Sequence, residues 1–200
     1  MSATAADFTF DAETHTYRLG GLELPSVTQV LRDMGFVDNR YFNPHARALG
    51  VHVHQCCELL CDRSLDWASV HPDALPRVKA FEKFVTETGF LVNQSEVPMY
   101  SERLGLAGTA DLIGTMAGFT CIIDEKSGAA QPHHALQLGG YHSLAADFGG
   151  TYATRLYGLY LQSNGRYKMQ EYKLTDSVFA FNTILNAHKL RSTYGVTRAE

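Results

Sequence analysis

The stretch Gly108 to Gly128, GTADLIGTMAGFTCIIDEKSG, is mostly apolar yet carries Asp111 and Asp124. LGLAGTADLIGTM and FTCIIDEKS read as successive strands, and Ala117-Gly118 between them reads as a tight turn. A turn centred there sets Asp111 opposite Asp124 in an antiparallel hairpin, with Cβ atoms about 5 Å apart. Like charges so placed among Leu112, Ile113, Ile122 and Ile123 repel. A divalent cation is the simplest means of offsetting that repulsion.

Strand alternation decides which neighbours join the pair. Asp124 and Lys126 share a face, and Glu125 points the other way. A preceding strand, FLVNQSEVPMY, turns between Arg103 and Leu104, which pairs Glu96 with Asp111. Three acids and one lysine then gather on neighbouring strands. In the bland alternative, Asp124 pairs with Lys126 on a solvated face, because a one-residue slip disperses the cluster.

The rest of the chain supplies helices and more strands. FTFDAETHTYRLGGLELP reads as a hairpin with Gly20-Gly21 as its turn. Ser26 caps a short helix that ends at Gly35, and Pro44 lies in the first turn of a longer helix beginning near Asn43. PDALPRVKAFEKFVTETG is an amphipathic helix closed by Gly89. QPHHALQLGGYHSLAADFG is a helix despite Gly139-Gly140. YATRLYGLYLQ and RYKMQEYKL flank a Ser163-Asn164-Gly165 turn, and a final helix is capped by Thr175 or Asp176. The order implies an α/β (α+β) fold, a central mixed sheet flanked by helices with a helical N-terminal part.

With 200 residues, the chain is expected to form one domain, with 1–88 as its N-terminal part and 89–200 as its core. Apolar runs are too short for a membrane span, and MSATAADFTF does not resemble a signal peptide, so a cytoplasmic protein is expected. Cys56, Cys57, Cys61 and Cys121 fit neither a disulfide framework nor a zinc spacing. Formal net charge is −4, but residues 151–200 carry seven Lys and Arg against three Asp and Glu. Basic flanks beside an acidic centre are compatible with phosphate contacts around a cation.

GTAD, DEKSG and QLGGY, with an upstream histidine, together resemble the PD-(D/E)XK nuclease superfamily and its RecB-like branch. The resembling residues are His54, Gly108 to Asp111, Asp124 to Lys126, and Gln137 to Tyr141. LPSVTQVLRDMG is also similar to the opening of compact phage and mitochondrial exonucleases. The resemblance implies a restriction-endonuclease-like core in which His54, Asp111, Asp124 and the carbonyl of Glu125 hold Mg²⁺ or Mn²⁺. Lys126 would act on the attacking water and the phosphate. Glu96, which comes from the strand register and not from the resemblance, serves a second metal, braces the site or is purely structural. Gln137 and Tyr141, four apart on one helix face, would position the nucleic-acid backbone or brace the active site, and Ser127, which stands where the family often has threonine, would join the substrate contacts. His52 is the competing histidine, and His133 and His134 are expected to be exposed bystanders.

Oxygen donors suit Mg²⁺ or Mn²⁺, and an added imidazole favours Mn²⁺. A lysine beside a cation is expected to have a lowered pKa. No cysteine follows Cys121, so the iron–sulfur cluster of some relatives is not expected. The function implied is a metal-dependent DNA exonuclease of phage or prophage recombination, acting on single strands or duplex ends, with a recombination or single-strand-binding protein as the partner expected. A structure-selective endonuclease or resolvase, or a catalytically silent nucleic-acid-binding module, are the alternatives.

Overall fold

The computed structural model describes residues 7–37 and 43–195. Met1 to Ala6, Arg198 and Glu200, which enter the readings above, lie outside the described residues. Leu91–Ser101 (β4), Leu106–Met116 (β5), Phe119–Lys126 (β6), Arg155–Leu161 (β7) and Tyr167–Tyr172 (β8) form one sheet in chain order. Pairing is antiparallel except between β6 and β7, which run parallel. The crossover that makes them parallel is His133–Gly149 (α4).

Turn chemistry sets the register. Ala117 and Gly118 both have positive φ, 48° and 80°, the pattern of a two-residue hairpin turn. Leu112 then pairs with Ile123, and Ile113 with Ile122. On the other side Val97 pairs with Ala110 and Ser95 with Leu112, flanking Glu96 and Asp111.

Helices cover both faces. Val27–Asp33 (α1), α4 and Leu174–Tyr194 (α5) bury Val30, Leu144 and Phe181 with Met99, Ile113 and Ile122. Pro44–Cys61 (α2) and Leu75–Thr88 (α3) bury Val53, Cys57, Phe81 and Phe84 with Leu112, Ile123 and Leu159 on the opposite face. A short 3-10 turn, Trp67–Ser69, links α2 to α3. Each fully buried Phe or Leu contributes roughly 1.5–3 kcal/mol. Ser26 and Asn43 accept N–H bonds at the starts of α1 and α2, and Gly89 closes α3 in the left-handed region.

Gly139 and Gly140 belong to α4 because they let it approach its neighbours. A Cβ on Gly139 would lie 2.2 Å from the Ser177 carbonyl oxygen, and one on Gly140 would lie 2.7 Å from Val27. Close packing outweighs glycine's poor helix propensity here.

Two details of the sequence reading are corrected. The N-terminal segment is three strands, Phe8–Asp11 (β1), Thr16–Leu19 (β2) and Leu22–Leu24 (β3), not a single hairpin. Its first turn is held by Asp11, whose Oδ1 accepts the N–H groups of Glu13 and Thr14. Helix α5 begins at Leu174 with Lys173 at the N-cap and no side-chain cap. Thr175 instead donates to Asp176, whose carboxylate pairs with Lys173. No helix among the described residues is long and apolar enough to cross a membrane.

Candidate metal centre

Face alternation breaks on β5 at Asp111. Ala110 and Leu112, two residues apart on β5, bury into opposite cores. Across from the break, Glu96 has φ of 46°, a left-handed backbone that is rare for a residue with a side chain. Pairing between β5 and β6 stops at Leu112 and Ile123. There the Asp111 side chain replaces the missing rung, its Oδ2 accepting the Glu125 N–H at 2.7 Å. The parting of these strands opens the site.

His54 enters from α2. Its Nδ1 lies 3.5 Å from Glu96 Oε1 and 3.8 Å from Asp111 Oδ2. One ligand-type atom from each of His54, Glu96 and Asp111 lies within 4.8 Å of the others. Gly50, one turn earlier, lets α2 press on the end of β6, since a Cβ there would sit 3.3 Å from Ser127 Oγ.

Asp124 stands beside this group. It is fully buried, its Oδ2 is 2.6 Å from Lys126 Nζ, and neither of its oxygens has a well-formed hydrogen bond. Alternation holds on β6, so Asp124 and Lys126 share a face and Glu125 turns toward Cys57 on α2. The triad of possible ligands thus contains Glu96, and Asp124 is tied to Lys126.

The electrostatics are those of an over-acidic pocket. Burial raises the Asp124 carboxyl to about 6, with Asp111 adding to the rise and Lys126 opposing it. Burial likewise raises Asp111, against the pull of His54 and Lys126. Glu125 is pushed up to about 8, chiefly by burial. Burial disfavours the charged form of His54, but Asp111 and Glu96 outweigh it and lift the imidazole to about 10. Lys126 carries the charge that opposes these acids. Burial presses its pKa down, but Asp124 and Asp111 press harder the other way, so the ammonium is held above its ordinary value. Without a cation to neutralise those acids, it is a charged donor.

Gln137 and Tyr141 lie on α4 and touch each other, the amide donating to the Tyr141 hydroxyl at 2.8 Å. Tyr141 is buried against Gly108, and its hydroxyl pKa is raised by burial and by the charges of Asp124 and Asp111. His52 points elsewhere, accepting the His71 N–H at 3.2 Å. His134 is not exposed as expected. It is buried, with Nδ1 2.9 Å from the Tyr160 hydroxyl, which lies 2.6 Å from that of Tyr172. Tyr160 faces Lys126 in the parallel register. Helical spacing could have found it, since His134, Leu138, Tyr141 and Ala145 fall on one stripe. His133 is half-buried.

No protein-family model matches the chain. No curated protein matches it by sequence. Among solved structures, a candidate exonuclease from Eubacterium rectale superposes with a TM-score of 0.50 at 12% identity, over 84% of this chain and 74% of that one. The fold is shared. The alkaline exonuclease LHK-Exo from Laribacter hongkongensis gives a TM-score of 0.45 at 12% identity, covering 84% of this chain and 88% of its own. LHK-Exo in complex with dAMP gives 0.45 at 15% identity, with 85% and 89% covered.

Proposed function

We propose that this protein is a divalent-metal-dependent nuclease of the PD-(D/E)XK type and RecB-like branch. It hydrolyses phosphodiester bonds in DNA, as an exonuclease of phage or prophage recombination. The observation that carries this reading is the His54–Glu96–Asp111 donor group beside the buried Asp124–Lys126 pair, at the point where two central strands part.

The residues fit a hard cation. Two carboxylates and one imidazole match the donor preference of Mn²⁺, and of Mg²⁺ with fewer nitrogen ligands. Burial keeps the pKa values of these acids raised although His54, Lys126 and, at Asp111, the Glu125 N–H oppose the rise. His54, Glu96 and Asp111 would hold the ion, with Asp124 and the Glu125 carbonyl next to them. Such an ion supplies charge neutralisation at the phosphate and a more acidic water.

The chain's own groups do the rest. Asp111 anchors the Glu125 peptide, which fixes the end of β6. Asp124 aims the Lys126 ammonium, which would donate to the phosphate and stabilise charge as the P–O bond breaks. Once its carboxylate neighbours are neutralised, Lys126 would release a proton more readily and accept one from the attacking water. Gln137, Tyr141 and Ser127 would meet the strand's backbone. Residues 1–88 and 89–200 would act as one unit, the first supplying His54.

The test is cleavage of end-labelled linear DNA and of closed single-stranded and duplex circles, with Mg²⁺, Mn²⁺ or chelator, by wild type and Lys126→Ala. The proposal expects cutting of linear DNA with metal, intact circles, and loss of activity in the variant. Cut circles would make the enzyme an endonuclease. Wild type inert on every substrate, or a fully active variant, would overturn the mechanism.

A further inference from the structure

The N-terminal sheet is not explained by the metal centre, yet it touches the strand that carries Asp111. Tyr17 on β2 is buried, and its hydroxyl lies 2.8 Å from Thr109 Oγ1 and 3.2 Å from His15 Nε2. Thr109 is two residues before Asp111, about 7 Å along a strand. A continuous polar relay therefore runs from His15 through Tyr17 to the strand bearing the candidate ligand. The His15 ring is also clamped edge-on by two others, with centroids 5.3 Å from Phe10 and 5.4 Å from Tyr17. Phe10 in turn stacks on Tyr17 at 4.6 Å.

His15 nevertheless remains exposed. It occupies the left-handed region, with φ of 53°. A turn that required only this backbone would be served by Gly or Asn. Here a ring is displayed at that point and fixed from two sides. Partial burial lowers the His15 pKa; of the charges that act on it, Glu96 opposes the fall and Arg47 and Arg32 add to it. Both arginines are exposed, at the end of α1 and in the first turns of α2. Arg47 lies two turns before His54, on the same helix face.

We infer that His15, with Phe10 behind it, is a base-stacking residue that positions the nucleotide next to the phosphate to be cut, while Arg32 and Arg47 take neighbouring phosphates. An exposed ring held rigid beside cationic groups is the arrangement by which single strands are gripped without base readout. The ligand class is a single-stranded nucleic-acid end with at least one intact base at its terminus. The inference rests on the nuclease reading and adds to it the residue that seats the substrate.

The experiment is steady-state cleavage of a single-stranded oligonucleotide in Mn²⁺ by wild type, His15→Asn and His15→Phe. The same oligonucleotide with abasic sites at both terminal nucleotides is the second substrate. Asparagine tolerates the left-handed backbone but presents no ring, and phenylalanine keeps the ring. Stacking predicts that His15→Asn raises KM about tenfold with kcat within about twofold, and that His15→Phe recovers most of the loss. It also predicts that abasic ends raise the wild-type KM by a similar factor and erase the difference between wild type and His15→Asn. Equal impairment of both variants, a fall in kcat alone, or His15→Asn indistinguishable from an active wild type would overturn this inference and leave the nuclease reading standing. Wild type inert on every nucleic acid would overturn both.

Discussion

Asp111 is the hinge of the site, so its neutralisation gives the sharpest prediction. Its Oδ2 lies 3.8 Å from His54 Nδ1 and also accepts the Glu125 N–H. Asp111→Asn keeps an oxygen for that N–H while removing one of the two negative ligands. A ligand bound at a hundred times its Kd stabilises the folded state by about 2.7 kcal/mol. For a domain of this size each kcal/mol moves Tm by about 2–4 °C. Saturating Mn²⁺ should therefore raise the wild-type Tm by about 5–10 °C at neutral pH. In Asp111→Asn the shift should fall to about 2 °C or less, while the metal-free variant still melts cooperatively. Differential scanning calorimetry with and without Mn²⁺ measures both. A wild type that does not shift, or a variant that shifts fully, would refute the assignment of Asp111 as a ligand.

Three further outcomes follow from the same geometry. Lys126→Met should lower turnover at least about 10²-fold. It should also destabilise the metal-free protein toward the low end of the roughly 3–5 kcal/mol seen when a buried pair is broken, and Asp124→Asn added to it should restore stability but not turnover; urea melts and single-turnover assays separate the two. Glu125 binds its proton more tightly folded, at about 8, than its ordinary value near 4.5. The stability this proton lends is full below about 4.5 and lost as pH rises through about 8, so urea midpoints should fall over that range and fall less in Glu125→Gln. Gly139→Ala should cost at least about 1–3 kcal/mol, because the new methyl meets the Ser177 backbone, and a matched loss in urea midpoint checks it.

Much of the sheet was legible because turn residues fix register locally. The short turn at Ala117-Gly118, and the one after Ser101, placed Glu96, Asp111 and Asp124 on neighbouring strands, and alternation put Lys126 beside Asp124. Alternation alone could not show that β5 changes face at Asp111. That break brings Glu96 and His54 to Asp111 and leaves Asp124 with Lys126. Long-range features left little local trace. The parallel pairing of β6 with β7 follows from the α4 crossover, and the Gly139-Gly140 pair makes sense only against Ser177 and Val27. The first turn of the N-terminal sheet escaped notice because Asp11 holds it instead of Gly or Pro. The elevated Lys126 pKa depends on burial and on a net count of neighbouring charges, which a spacing rule does not supply.

The central claim is that His54, Glu96 and Asp111 jointly capture one divalent cation. Anomalous diffraction from a crystal soaked in Mn²⁺ tests it most directly. A peak bounded by the His54 imidazole and the carboxylates of Glu96 and Asp111, with Asp124 alongside, is the predicted result. An empty map at those side chains, or manganese bound only elsewhere, would contradict it.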